Sequence, residues 1–291
     1  ESTRFFPEVM TGFRQGRSAI DSVIDLVTTV QQAKADGQIT AAVFLDVAKA
    51  YDSVLHSVVV ATLEEAGVGG NTLSWIQDFL SNRSLFVRTT EGDTTSYPVS
   101  RGIPQGSVPS PLFLNVVMAS LPAQLRKHTR ITLYADDICI STSAVRRDTL
   151  QRRLQHALHD IVLYLADRGL SVSPSKTVAM AFTRRSFQRY PLYVAGSPLK
   201  FVTHYKYLGV TVDRGLTWSR HIRTMSDRSK VYINVLRHIS GASWGPCYGD
   251  LRRVYSSLIL GAIRYSLPVL YGLNSSAERE LLNIQARNLR V

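Results

Sequence analysis

Apolar residues recur along the chain at spacings that predict both helices and strands. Apolar side chains three or four positions apart are typical of an amphipathic helix. The clearest such stripe lies within 148–168 and consists of Leu150, Leu154, Leu158, Ile161 and Leu165. The same spacing predicts helices over 18–37, 54–67, 71–83, 109–125, 217–239 and 251–272.

Short runs of β-branched and aromatic residues predict strands between these helices. The apolar run 41–47 carries Asp46 near its end, and the run 131–141 is interrupted at Ala135 and Asp136 as in a hairpin. Further strands are predicted over 85–90, 94–100, 177–183 and 205–213. This mixture predicts an α+β fold whose last part is helical.

The length of 291 residues suggests about two domains. Charge is distributed unevenly along the chain. The formal net charge is +12, but residues 1–125 hold 8 basic and 12 acidic side chains and residues 126–291 hold 26 and 10. Most of the basic residues are arginines, which bind phosphate in a bidentate manner and stack on bases. The basic half therefore favours a polyphosphate partner over the alternative, a basic solvated surface.

Composition and motifs exclude several classes of protein. An apolar fraction of 45% with 19% charged residues, 18 glycines and 11 prolines excludes collagen-like, coiled-coil and wholly disordered chains. Two cysteines, Cys139 and Cys247, cannot form a disulfide framework, so we expect a reducing compartment and no disulfide-linked partner. No uninterrupted apolar run is long enough to span a bilayer, so no membrane partner is expected. The chain begins at Glu1, and we expect it to be a piece of a longer protein.

The candidate chemistry lies in three carboxylates carried by two strand elements. Asp46 lies near the end of one predicted strand, and Asp136 and Asp137 lie at the tip of a predicted hairpin about ninety residues later. If both elements join one sheet, the carboxylates repel each other, and a hard divalent cation such as Mg²⁺ relieves that repulsion. Two such ions support displacement at phosphorus. Each acid taken alone is also ordinary turn chemistry.

Six sequence blocks in a fixed order carry a family resemblance. They are TGFRQGRSAID (11–21), FLDVAKAYDSV (44–54), RGIPQGSVPSPLFLNV (101–116), LYADDICIS (133–141), LSVSPSKTVAMAF (170–182) and HYKYLGVTVDRGLTW (204–218). Together they resemble the motifs of the reverse transcriptase domain of a non-LTR (LINE-type) retrotransposon. The YADD tetrapeptide alone is weak evidence, whereas the ordered set is highly specific.

The resemblance implies a right-hand polymerase that adds deoxynucleotides to a primer 3′-hydroxyl on an RNA template. Its parts would be partial fingers over 1–40, a palm over 41–215 that includes a finger-side excursion and hairpin over 67–100, and a truncated thumb over 216–291. The palm would be an antiparallel sheet backed by helices 54–67, 109–125 and 148–168. Implied partners are the RNA template, the DNA primer and deoxynucleoside triphosphates, in the cytoplasm and nucleus.

The resemblance also implies a cofactor, two Mg²⁺ ions for which Mn²⁺ can substitute. Asp46, Asp136 and Asp137 match the family's metal-binding carboxylates, and the backbone carbonyl of Val47 adds a ligand. Tyr51 matches the aromatic residue that crowds the sugar 2′ position and so favours deoxynucleotides. A core aromatic at the start of a helix is the alternative for Tyr51.

Other matched residues surround the nucleotide. Gln105 and Gly106 match a loop packed against the nascent base pair, and Lys176 matches a lysine proposed to protonate the pyrophosphate leaving group. Arg14 and Arg17 match residues near the triphosphate. The alternatives are an ordinary loop, a solvated lysine and structural arginines.

The sequence also departs from the family pattern, and other interpretations remain open. Pro109 replaces an apolar residue such as leucine, and little of the family's fingers precedes Thr11, so we expect activity only when the fingers are restored. The YLGV segment would grip the primer, and Tyr205, Tyr207, Trp218 and Tyr232 either stack on bases or pack internally. A group II intron-type maturase and a non-catalytic RNA-binding remnant are the alternative functions.

Overall fold

The computed structural model describes residues 5–183, 190–241, 244–270, 272–273 and 275–288. The helices are α1 (Ala19–Ala35), α2 (Ala50–Ser53), α3 (His56–Glu65), α4 (Gly70–Leu80), α5 (Ser110–Met118), α6 (Leu121–Gln124), α7 (Arg147–Ala166), α8 (Ser219–Ile239), α9 (Tyr248–Tyr255), α10 (Gly261–Ser266) and α11 (Ser275–Asn288). A π-helical turn, Ser256–Leu260, joins α9 to α10, and a 3₁₀ turn, Leu267–Val269, follows α10. The predicted α+β fold is confirmed.

The strands are short except for two long ones at the centre of the molecule. They are β1 (Ile39–Ala48), β2 (Arg83–Leu85), β3 (Arg88–Thr89), β4 (Gly92–Asp93), β5 (Tyr97–Val99), β6 (Arg130–Tyr134), β7 (Asp137–Ala144), β8 (Ser171–Val172), β9 (Val178–Ala181), β10 (Tyr193–Val194), β11 (Ser197–Pro198), β12 (Lys200–Phe201), β13 (His204–Tyr207) and β14 (Val210–Asp213).

A six-stranded sheet forms the centre, in the order β12–β9–β1–β7–β6 with β8 also paired to β1. β1 pairs antiparallel with β7, β8 and β9, as expected for the predicted sheet. The sheet is predicted to be antiparallel, and the structure differs at one edge, where β12 runs parallel to β9. A two-residue strand offers no periodicity from which its direction could be predicted.

β1 is buried on both faces, and its alternating residues contribute to two hydrophobic cores. Val43 and Leu45 pack into the core shared with α3, α5 and α7, whereas Ala42 and Phe44 pack into the core shared with α1, β13, β14 and α8. Because side chains alternate between the faces of a strand, Asp46 lies on the same face as Phe44. The acid therefore points to the side on which α1 and the β13–β14 hairpin pack.

The helix predicted over 109–125 is divided into α5 and α6. Pro122 lies in the first turn of α6 and has no N–H to continue the hydrogen-bond ladder of α5. The side chain of Ser120, between the two helices, is hydrogen-bonded to the Tyr164 hydroxyl of α7 at 2.9 Å. The interruption therefore has both a backbone cause and a side-chain anchor.

Two further sequence expectations concern membranes and disulfides. Within the described part of the chain, no helix has the length and apolar character needed to cross a bilayer. Cys139 is buried in β7 and Cys247 is exposed before α9, and both are free thiols. Burial raises the pKa of the Cys139 thiol above its ordinary value.

Candidate active site

The sheet register brings the three predicted acids to one edge. Asp46 of β1 lies directly opposite Asp137 of β7, and Tyr134 of β6 pairs with Asp137 on its other side. Ala135 and Asp136 form the two-residue turn between β6 and β7, with Ala135 in the left-handed region at φ 54°. Directly opposite residues in an antiparallel pair have Cβ atoms about 5 Å apart, so Asp46 and Asp137 are immediate neighbours.

Burial and the neighbouring negative charges change the titration of one of these carboxylates. Burial raises the pKa of Asp137 to about 6, and the charges of Asp136 and then Asp46 add to the effect. No three His, Cys, Asp or Glu side chains of the described residues already surround one point as a metal cluster does. The donor chemistry nevertheless fits a divalent cation, because carboxylate oxygens that repel each other are the ligands hard cations prefer.

The loop after β8 contacts the end of β1 and brings the side chain of Lys176 next to Asp46. The backbone N–H of Ser173 donates to the carbonyl of Asp46 at 2.8 Å, and the Asp46 N–H donates to Thr177 Oγ1 at 3.4 Å. Between these contacts, Lys176 Nζ lies 3.5 Å from Asp46 Oδ2. The predicted lysine is therefore next to the predicted acid, although its side chain is largely exposed.

An N-terminal segment supports the hairpin that carries Asp136 and Asp137. The Thr11 N–H donates to the carbonyl of Leu133 at 2.8 Å, and Asn115 Nδ2 donates to the carbonyl of Gly12 at 2.8 Å. A Cβ on Gly12 would lie 2.6 Å from the backbone nitrogen of Ala135. Only glycine permits this backbone approach.

The predicted site residues did not include Gly12 or Asn115. Both residues lie inside blocks that carry the family resemblance, 11–21 and 101–116. A glycine followed by an aromatic residue in the first block, and a polar residue within an apolar helix in the second, were the available signals. Asn115 is 3% exposed, so its amide is a buried polar group that requires a partner.

The loop of the third block is fixed to α2, which follows the acidic strand. Ile103 N–H donates to the carbonyl of Tyr51 at 2.6 Å, and Gly102 N–H donates to that of Val54 at 2.7 Å. A Cβ on Gly102 would lie 2.7 Å from the carbonyl oxygen of Asp52. Gly102 also has a positive φ of +85°, so both the close contact and the backbone conformation require glycine. The chain therefore holds the loop and Tyr51 together.

Three predicted nucleotide-site residues lie on this loop and on α2. Burial raises the pKa of the Tyr51 hydroxyl, and the charge of Asp136 raises it further, so the ring lies within the field of the acidic edge. Gln105 Nε2 donates to Asp52 Oδ1 at 3.2 Å. Gly106 has φ +85°, and nothing within 4 Å would contact a Cβ there, so it faces open space.

The two predicted arginines are not among the contacts of the acidic edge. Arg14 donates to the carbonyl oxygens of Pro7 at 2.7 Å and Met10 at 3.2 Å, and its guanidinium lies 5.8 Å from the ring centroid of Phe6. Arg17 is exposed, and its backbone N–H donates to the carbonyl of Arg14 at 3.3 Å. Arg14 has the contacts of a structural residue in this conformation.

The β13–β14 hairpin packs beside the acidic edge. The Tyr205 ring stacks on Phe44 at a centroid distance of 4.5 Å. Burial raises the pKa of Tyr205, and the charges of Asp137 and then Asp46 contribute. Tyr207 is buried, and its hydroxyl is hydrogen-bonded to Thr132 Oγ1 of β6 at 2.9 Å. These contacts favour internal packing over base stacking for Tyr207.

The C-terminal helices present a basic surface. The side of α8 that faces away from the core carries exposed cations, and we call this set the α8 basic face: Arg220, Arg223, Arg228, Lys230 and Arg237. The opposite side of α8 is buried, as are Trp218 before the helix and Ile222 within it. Part of the positive charge of residues 126–291 is therefore exposed on one side of α8.

Comparisons with known proteins identify the family of this chain. A family model described as "Reverse transcriptase (RNA-dependent DNA polymerase)" matches residues 1–212. The chain is 29% identical to the 115 kDa protein in type-1 retrotransposable element R1DM of Drosophila melanogaster over 94% of this chain and 26% of that protein. It is 25% identical to the RNA-directed DNA polymerase from mobile element jockey of Drosophila funebris over 100% of this chain and 32% of that protein. The chain thus spans about a quarter to a third of these relatives.

Solved structures support the fold. The telomerase of Candida albicans in complex with the TWJ fragment of telomeric RNA aligns with 97% of this chain and 53% of its own, at a TM-score of 0.53 and 12% identity. This likeness shows the fold alone, and the predicted right-hand polymerase fold is confirmed. Since the family model covers most of the sequence and the relatives are of the predicted kind, the chain belongs to the reverse transcriptase family, as a domain of the non-LTR retrotransposon type.

Proposed function

We propose that this chain is the catalytic core of an RNA-directed DNA polymerase that extends a DNA primer on an RNA template. Its substrates are deoxynucleoside triphosphates, and pyrophosphate is released. The observation that carries the proposal is the sheet register that sets Asp46 opposite Asp137, with Asp136 in the adjoining turn. The family match and the relatives named as RNA-directed DNA polymerases support it.

Asp46 and Asp136 would hold two Mg²⁺ ions, or Mn²⁺ in their place, with Asp137 assisting and the Val47 carbonyl as a further ligand. Bound there, the ions supply activation of the primer 3′-hydroxyl and stabilisation of the leaving oxygen. Burial raises the pKa of Asp137, and the charges of Asp136 and Asp46 raise it further. The proximity of these three acids supports the assignment, because a bound cation would offset their mutual repulsion.

The surrounding residues are proposed to orient the nucleotide. The Tyr51 ring, in the field of Asp136, would leave no room for a 2′-hydroxyl, and Gln105 with Gly106 would line the side of the nascent base pair. Lys176 would give its proton to the pyrophosphate, and its position 3.5 Å from Asp46 supports this role. Arg14 would reach the triphosphate only after its guanidinium leaves the carbonyl oxygens of Pro7 and Met10, whereas the exposed side chain of Arg17 would be free to approach it.

We assign each part of the chain to a subdomain of a right-hand polymerase. Residues 1–40 would form partial fingers, 41–215 the palm and 216–291 part of the thumb. The α8 basic face would hold the primer–template backbone through phosphate contacts, largely without reading sequence. Binding should therefore weaken steeply with salt. The RNA bound by the telomerase relative is consistent with an RNA partner.

Primer extension on poly(rA)/oligo(dT) with Mg²⁺ tests the proposal, with the chain alone and within its full open reading frame. Asp136→Asn should lower the rate on the order of 10³-fold or more, because it removes a metal ligand. Asp148→Asn, which alters an exposed acid paired with Arg146, is the matched control and should leave the rate unchanged. Extension that persists in Asp136→Asn would contradict the metal assignment. RNA binding without extension in the full open reading frame would favour a non-catalytic remnant.

A further inference from the structure

The tip of the β13–β14 hairpin has an unfavourable backbone conformation. Tyr207 pairs with Val210, so Leu208 and Gly209 alone form the turn, with φ values of 43° and 86°. Positive φ at both central residues is typical of a type I′ turn, which strongly prefers Asn or Gly at its first central position. A leucine there is strained and persists only when its surroundings hold it in place.

A tyrosine from the C-terminal helices provides that support. The Tyr265 hydroxyl, on α10, donates to the carbonyl of Leu208 at 2.6 Å. A Cβ on Gly209 would lie 3.2 Å from Cε1 of the Tyr265 ring, so the ring lies directly on the turn. Tyr265 therefore contacts both residues of the strained tip, one through a hydrogen bond and the other through its ring.

Tyr265 also lies close to the hairpin that carries the catalytic acids. The pKa of its hydroxyl is raised by burial and then by Tyr134. Tyr134 is the last residue of β6, directly before the turn that contains Asp136. The base of the β13–β14 hairpin is fixed to the sheet independently, through the Tyr205–Phe44 ring stack and the Tyr207–Thr132 hydrogen bond. The tip is thus the part that depends on Tyr265.

We propose that Tyr265 is a positioning residue for the primer terminus: it holds the Leu208–Gly209 turn at a fixed place beside the acidic edge. Tyr265 lies beyond the segment that the family model matches, 1–212. The inference rests on the proposed function, since it takes the β13–β14 hairpin to contact the primer strand. It adds that the helical C-terminal part sets the alignment of the 3′-hydroxyl, besides binding the duplex.

Tyr265→Phe tests this inference, because it removes the hydrogen bond and keeps the ring. At saturating primer–template and nucleotide, kcat should fall about fivefold as the 3′-hydroxyl loses its alignment. The Kd for primer–template should stay within about twofold, because phosphate contacts dominate it. The matched control is Tyr248→Phe, at a tyrosine on α9 that is 80% exposed, and it should change neither value.

A rescue variant separates positioning from a general structural effect. Glycine tolerates positive φ, so Leu208→Gly should remove the need for the tyrosine hydroxyl. The double variant Tyr265→Phe/Leu208→Gly should then have the kcat of Leu208→Gly alone. An unchanged kcat in Tyr265→Phe, or losses that add in the double variant, would overturn the inference.

A second measurement is independent of catalysis. Hydrogen exchange of the amides over 205–212 should be faster in Tyr265→Phe than in the wild-type chain and unchanged in Tyr248→Phe. If the wild-type chain and its full open reading frame extend no primer, the proposed function fails while this exchange experiment still decides whether Tyr265 holds the turn. Equal exchange in Tyr265→Phe and wild type would overturn the inference by itself.

Discussion

The two hairpins beside the acidic edge have turns of equal length but different supports. The β6–β7 turn, Ala135–Asp136, is held by backbone contacts from Thr11 and Gly12. The β13–β14 turn, Leu208–Gly209, is held by a side chain, Tyr265. Backbone atoms in direct contact can hardly move, whereas a tyrosine can change rotamer within the native state.

The difference follows from what each hairpin must do. The first carries Asp136 and Asp137, which are proposed to hold the metal ions, and such ligands must keep their positions to within about 0.5 Å. The second is proposed to contact a primer that advances by one nucleotide in each cycle. A rigid support suits the first task, and a support that can yield suits the second. Three variants test the comparison, and the one with the largest expected effect alters the rigid hairpin.

Gly12→Ala should disable the β6–β7 hairpin. The new Cβ would lie 2.6 Å from the backbone nitrogen of Ala135, so the turn must shift. A displacement of about 1 Å at the proposed metal ligands should lower primer extension about 10²-fold. Gly69→Ala is the matched control, because Gly69 has φ −145° and open space around it. Normal extension by Gly12→Ala would show that this hairpin is not rigidly held.

His221 of α8 anchors the second hairpin in a pH-dependent way. Its Nδ1 accepts the backbone N–H of Thr211 in β14 at 3.2 Å, and burial, assisted by the charge of Arg228, lowers its pKa to about 4. The imidazole therefore binds a proton near pH 6.5 in the unfolded state but only near pH 4 in the folded state. The contribution of the neutral His221 to the free energy of unfolding is fully present above about pH 6.5 and is lost as the pH falls toward 4.

The expected loss from His221 between pH 7.5 and pH 5 is about 2 kcal/mol in the free energy of unfolding. Urea titrations of wild type and His221→Gln at both pH values measure it, because the glutamine cannot titrate. The difference in pH dependence between the two proteins isolates the contribution of this residue. An identical pH dependence in both would refute the assignment of a neutral, buried imidazole.

Tyr207→Phe should have the smallest effect. It removes the hydrogen bond that joins the hydroxyls of Tyr207 and Thr132 in the two hairpins, and leaves the buried Thr132 hydroxyl without this partner. The free energy of unfolding should fall by about 1 kcal/mol. In a double-mutant cycle with Thr132→Val, the two losses should not add. Additive losses would mean that the contact contributes nothing to stability.

The sequence predicted the acidic edge well, for physical reasons. A strand alternates its faces, and the interruption at Ala135 and Asp136 predicted a hairpin tip, so few arrangements of Asp46 and the acid pair remained possible. The register that places Asp46 opposite Asp137 is consistent with that expectation. The position of the acids could be predicted from local periodicity together with the order of the six sequence blocks.

Contacts between distant segments were not predictable in the same way. The approach of Gly12 to Ala135 and the hydrogen bond from Tyr265 to Leu208 depend on how whole elements pack, which no local spacing encodes. The break between α5 and α6 had a visible signal in Pro122, but the apolar run around it favoured one continuous helix. At this point the missing N–H of Pro122 determines the structure, and the apolar periodicity around it does not.

The unequal environments of the two cysteines offer a way to observe the C-terminal helices. Cys139 lies two residues after Asp137, fully inside the sheet, and its raised pKa keeps it a protonated, unreactive thiol. Cys247 is exposed at the start of α9. A maleimide dye should therefore label Cys247 selectively in the wild-type sequence. Its fluorescence would then report any change around those helices when primer–template is added, with no engineered attachment point.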